Sequence, residues 1–159
     1  MLIRLCDSEL RSRSIAISIR RGSELPDQKE REELARLRLQ NAEEKTEYIP
    51  GIIALGDYKT AANRAYYAVF YAMRAVLALD GYDSKKHSGI ISEFRKTYIK
   101  TGVFSEELSD IIGELFAVRT NSDYDDFYVL SKEKALAQYQ NAVVFVDAVK
   151  KYFGEIGLL

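Results

Sequence analysis

In 159 residues the chain has one cysteine, one histidine, two prolines and no tryptophan. With Cys6 alone, an internal disulfide and a zinc site built on cysteine pairs are both excluded. With His87 alone, the usual histidine-rich metal sites are excluded, and any imidazole chemistry rests on one side chain. Long hydrophobic runs are missing as well, so no membrane span is expected. Arg4, Asp7 and Glu9 interrupt the early apolar residues, which removes a secretory leader and points to the cytoplasm. Nor is there a large charge of one sign. At a net charge of −1 the chain is no general nucleic-acid binder, because such affinity rests on neutralising phosphates. RNA contact would need a local patch.

What is present is an ordinary soluble composition, 47% hydrophobic and 30% charged, in a length that suits one domain with a real core. The charge is unevenly spread. Residues 1–22 carry +3 and the remainder −4. Residues 1–26 are rich in serine and arginine, with a weak strand-like alternation at Ser14–Ile19, and read as a flexible or loosely docked arm. A basic arm touching RNA is the alternative. Residues 27–159 read as the folded domain.

That domain is helical almost throughout. Asp27 caps a charged helix over about Lys29–Tyr48, which Pro50-Gly51 breaks or kinks, with Ile52–Leu55 as an apolar turn. The most regular helix covers about Tyr58–Leu79 and stops at Asp80-Gly81. A third runs from about Lys85 to Lys100. Ser105, followed by Glu106 and Glu107, opens a fourth that carries Arg119 near its end, and Ser131 opens a last one reaching about Phe153. The connections are short, so the expectation is an all-α antiparallel bundle of four to five helices.

Arg119 is the most informative residue. Leu108, Ile112, Leu115 and Arg119 follow one another at steps of four and three, which sets the guanidinium at the end of the inward stripe. Thr120–Phe127 then supplies a dense run of hydrogen-bonding groups, Asn121 among them. A permanently charged fork there suits a phosphate site or a dimer contact. Dipole complementation at a helix end is the plain alternative. On the Tyr58–Leu79 helix, Ala62, Ala65, Val69, Met73 and Val76 make a small-residue packing stripe. Beside it Asn63, Tyr67, Tyr71 and Arg74 make a stripe with polar tips, of which Asn63 and Tyr67 are the better candidates to face the Arg119 helix. His87 lies at a helix start after Lys85 and Lys86, where capping or a surface role competes with chemistry. Asp123, Asp125 and Asp126 have no defined ligand geometry. Turn and capping duty, or neutralising Arg119, explains them better, and neither metal nor cofactor is expected.

Taken together, Ala-Asn-Arg-Ala-Tyr-Tyr-Ala-Val-Phe at Ala62–Phe70, Lys-His-Ser-Gly at Lys86–Gly89 and Arg-x4-Tyr-Asp-Asp-Phe at Arg119–Phe127 resemble the small prokaryotic HEPN-domain proteins. The similarity covers roughly Lys29–Phe153. It implies a bundle of four or five helices, commonly a homodimer with two arginine motifs near the twofold axis. It further implies one of two activities: metal-independent RNA cleavage with an Arg-x4–6-His motif, or service as the toxin partner of a minimal nucleotidyltransferase antitoxin that can adenylylate a nearby tyrosine. Arg119 matches the motif arginine. Tyr124 stands where histidine would follow, and Asp126 where the paired toxins often carry tyrosine, so Tyr124 and Tyr128 are the candidate modification sites. With an ordinary pKa near 10 a tyrosine is a poor base at pH 7. His87 would substitute if the fold brought it to Arg119. The leading expectation is an interaction module that pairs with a nucleotidyltransferase-type antitoxin, or that binds a nucleotide or RNA phosphate around Arg119, with Asn63, Tyr67 and Asn121 as binding residues. A weak ribonuclease using Arg119 with His87 or Tyr124 is the alternative, and a purely structural helical dimer a third.

Overall fold

The computed structural model describes residues 26–159; the expected arm, residues 1–26, lies outside them apart from Pro26, as do Cys6 and the Ser14–Ile19 alternation. Helix α1 (Gln28–Ala54) begins at a capping box. The Asp27 carboxylate accepts the Glu30 N–H at 2.8 Å, and Glu30 accepts the Asp27 N–H in return. It does not break at Pro50. Ile49 and Ile53 are both buried on either side, and their packing outweighs the one backbone bond that proline removes.

Helix α2 (Tyr58–Leu79) is the centre of the bundle and has the most regular amphipathic pattern among the described helices. Ala62, Ala65, Val69, Met73 and Val76 are all buried, and the small residues let α1 lie close along it. A Schellman turn ends α2. Tyr82 N–H reaches the Leu77 carbonyl at 3.0 Å and Gly81 takes the left-handed φ of 72° that this closure needs. The chain doubles back into α3 (His87–Phe94), which continues into a π-helical stretch, Arg95–Ile99.

Helix α4 (Glu106–Tyr124) starts at Ser105, whose backbone is extended but whose side chain makes no cap bond. It continues past Arg119 for a further turn, so Arg119 is not at the helix end. Helix α5 (Lys132–Glu155) opens at Ser131, which accepts the Lys134 N–H, and packs on α1, α2 and α4. Five helices and no strand make up the described residues, the all-α bundle that the sequence implies. No helix among them is long and apolar enough to cross a membrane.

Candidate functional site

The inward stripe of α4 delivers Arg119 as its spacing requires. The side chain is 20% exposed, and its guanidinium lies over the rings of Tyr66 and Tyr67, 5.5 and 5.9 Å from their centroids. The ring faces attract the cation while the apolar surround limits its hydration. Its counter-charge is Asp123, one turn on, with Oδ2 2.9 Å from Nε. By distance that is an ion pair, yet the N–H is not aimed along it and Nε, buried, makes no hydrogen bond. Attraction without a directed bond leaves the fork under-used.

His87, the first residue of α3, arrives at the same tyrosines from a different helix. Its Nδ1 is 2.7 Å from the Tyr66 hydroxyl, its ring stacks on Phe70 at 4.3 Å, and Tyr67 meets it edge-on at 5.9 Å. Burial lowers the imidazole pKa below its usual 6.5, and the positive charges of Arg119 and Arg74 lower it further. His87 is therefore neutral near pH 7. Burial pushes the Tyr66 hydroxyl up to about 12 against an opposing pull from Arg119, so it stays protonated. With both groups neutral, the hydrogen bond can run either way. If Nδ1–H donates to the tyrosine oxygen, Nε2 is left as an acceptor.

The turn ahead of His87 is held by charge. Asp83 accepts from Arg38 at 2.6 Å and from both Nε and Nη2 of Arg74, while Arg38 also donates to the Arg74 carbonyl. Partial burial raises the Asp83 pKa, but the bonds from Arg74 and Arg38 outweigh it and bring the carboxyl below its ordinary value. Gly89 completes the fit. A Cβ there would sit 2.6 Å from Ser84 Oγ and 3.1 Å from its Cβ, so a side chain at residue 89 would force Ser84 to shift.

The other candidates divide. Tyr67 faces Arg119 as its stripe suggests, and Asn63 lies half-buried one turn earlier on the same face. Tyr71 and Arg74 turn elsewhere: Lys45 sits over the Tyr71 ring at 4.4 Å, and Arg74 is taken up by Asp83. Tyr124 does not join Arg119. Five residues along a continuous α-helix is about 140° of rotation, and Tyr124 is 79% exposed. Asn121 is exposed as well, while Tyr128 is half-buried against the core. Asp125 accepts the Phe127 N–H in a tight turn. Among the described residues no group of three or more histidine, cysteine, aspartate or glutamate side chains can hold a metal. Tyr66 and Asp83 are positions of this site that the helical spacing does not single out. A tyrosine buried beside a small-residue stripe must find a partner for its hydroxyl, which is the signal the sequence carries for Tyr66.

The bundle puts the chain in an all-α class, and comparison with known proteins gives the family. The HEPN domain model matches residues 35–152, so the chain belongs to the HEPN family. It is 32% identical over 114 residues to a candidate toxin of Methanocaldococcus jannaschii, covering 72% of this chain and 78% of that protein. A second candidate toxin of the same organism is 33% identical over 99 residues, 62% of this chain and 73% of that protein. A UPF0332 protein of Thermotoga maritima is 32% identical over 97 residues, 61% of this chain and 74% of that protein.

Proposed function

We propose that this HEPN domain is the toxin-type member of a toxin–antitoxin pair and that it engages an RNA phosphate between Arg119 and His87. One observation carries the reading: the only histidine lies around the same two tyrosine rings as the motif arginine, although it comes from another helix. At such a site the guanidinium stabilises the charge that builds on the phosphorane oxygens as a ribose 2′-oxygen attacks. Neutral His87 takes the 2′-hydroxyl proton at Nε2. The O2′–P bond forms, the P–O5′ bond breaks, and the leaving 5′-oxygen takes a proton from solvent or from the imidazolium. The products are a 2′,3′-cyclic phosphate and a 5′-hydroxyl. The scheme uses no metal. It acts in a homodimer, as the family resemblance implies, with the two pockets near the twofold axis.

The test is RNA cleavage by purified protein in excess EDTA, beside Arg119→Ala, His87→Ala and Tyr124→Phe. Cyclic phosphate ends that vanish in the first two variants and persist in Tyr124→Phe are expected. Loss in Tyr124→Phe with retention in His87→Ala would move the proton transfer to Tyr124 and refute the pairing. RNA binding without cleavage would leave a binding module.

A second reading is favoured by the exposure of Tyr124 at the motif position. Here the partner is a minimal nucleotidyltransferase that adenylylates Tyr124, or Tyr128. Co-expression with such a partner should add one AMP to Tyr124; no added mass on either tyrosine would count against it.

A further inference from the structure

The π-helical stretch has a consequence beyond the pocket. Its i→i+5 bond, from Lys100 N–H to the Arg95 carbonyl at 2.9 Å, widens the helical turn here. Tyr98 and Ile99 enter the core, and Arg95, Lys96 and Lys100 come to line one open groove of about 530 Å³ between this stretch and α4. The groove contains no acidic lining residue. Glu93 stands beside Lys96 at 3.5 Å, and Lys96 remains 71% exposed. Arg95 donates Nη2 to the Ser109 carbonyl at 3.0 Å, while its Nε is buried with no hydrogen bond. One wall is aromatic. Phe116 is 37% exposed, and its ring lies 6.0 Å from that of Tyr66. Ser88, the neighbour of His87, is at the rim.

We propose that this groove is a binding track for single-stranded RNA that leads into the Arg119–His87 pocket. The proposal rests on the RNA-phosphate reading above and extends it to a second, separate contact. Lys96 and Lys100 take backbone phosphates, and the open face of Phe116 stacks a base at the step before the pocket. Phe116 and Arg119 are one turn apart on α4, so a base on the first and a phosphate on the second belong to adjacent positions of one strand. From Gly113, which lines the groove, to Arg119 the helix rises about 9 Å. A cation-lined groove with an aromatic wall fits a strand of RNA better than a second copy of this chain, because a twofold contact centred here would bring two like-charged patches together. Gly113 keeps the track open. A Cβ there would lie 3.6 Å from Arg95 Nη2, an ordinary contact, so alanine is accommodated and a longer side chain fills the groove.

Fluorescence anisotropy with uncleavable 2′-O-methyl RNA, as a dinucleotide and as an octanucleotide, separates the two contacts. Lys96→Ala/Lys100→Ala should weaken the octanucleotide about tenfold and lower its salt slope by about 1.4, two phosphate contacts on a single strand, with the dinucleotide unchanged. Gly113→Leu should weaken the octanucleotide selectively as well. Arg119→Ala should weaken both probes. Lys29→Ala/Lys151→Ala removes the same charge outside the groove and should change neither. An octanucleotide affinity and slope untouched by the Lys96/Lys100 change, or equally altered by the control, would overturn the track while Arg119→Ala still reports the pocket. Failure of the folded wild-type protein to bind either probe at low salt would overturn both. Circular dichroism and the melting temperature confirm that each variant folds.

Discussion

Tyr66→Phe removes one oxygen and keeps the ring that packs against Tyr67, Phe70 and Phe116. That oxygen is 2.7 Å from Nδ1 of His87, in a residue 1% exposed, so water cannot replace the bond from the tyrosine side. His87 is neutral near pH 7, and the bond therefore lacks the strengthening that a charge gives. A neutral bond exchanged with water is worth about 1 kcal/mol net. His87 is only partly buried, so its freed nitrogen can find water and no large desolvation penalty is added. The expected loss is ~1 kcal/mol, or about 2–4 °C in Tm for a domain of this size. His87→Phe should cost more, about 1–3 kcal/mol, because it leaves the buried Tyr66 hydroxyl without a partner, and a double-mutant cycle should return a coupling of about 1 kcal/mol. Urea denaturation of the four proteins measures it. The chain has one histidine, so imidazole ¹⁵N shifts also report without ambiguity which nitrogen carries the proton. A coupling below about 0.3 kcal/mol, or ¹⁵N shifts unmoved by Tyr66→Phe, would refute the pairing.

Acid should act through the same histidine. Its folded-state pKa lies below the ordinary 6.5, so the unfolded chain protonates first. The contribution of His87 to stability is complete above pH 6.5 and is lost as the pH falls through the folded value. Urea midpoints in that window should decline less steeply in His87→Gln than in the wild type. Asp83→Ala strands Arg38, whose side chain is 9% exposed, and because Asp83 is itself 48% exposed the cost should be nearer 2 than 4 kcal/mol. Faster hydrogen exchange over residues 82–90 would show the turn loosening; exchange unchanged there would mean that the ion pairs do not hold it. Glu114 accepts from Lys134, Gln138 and Asn141 between α4 and α5. Glu114→Ala leaves the fully buried Gln138 without its acceptor and should cost about 1–3 kcal/mol by thermal denaturation.

Much of this architecture is legible in local pattern. The Asp27 and Ser131 caps, the small-residue stripe of α2 and the inward series ending at Arg119 are all spacing signals within one helix, and each is found where spacing puts it. Pro50 misleads because a breaker is read from its own backbone, whereas buried Ile49 and Ile53 decide whether the helix continues. The polar run Thr120–Asp123 also reads as the end of α4, yet Thr120 bonds back to the Phe116 carbonyl at 2.8 Å and the helix carries on. The site is less legible. Tyr66 and His87 are 21 residues apart, and Asp83 is 45 from Arg38, so neither contact has a period in the sequence. Both depend on how the turn at Gly81 returns the chain along α2.

The buried hydroxyl of Tyr66 also links the fates of two positions over evolutionary time. A descendant that loses the histidine at 87 keeps a phenol sealed in the core with nothing to bond, a debt that phenylalanine at 66 would remove. Tyrosine at 66 without histidine at 87 is the combination that the packing disfavours. Inheritance at this site should therefore run in pairs, while position 124, out in solvent on the far side of its helix, drifts free of both.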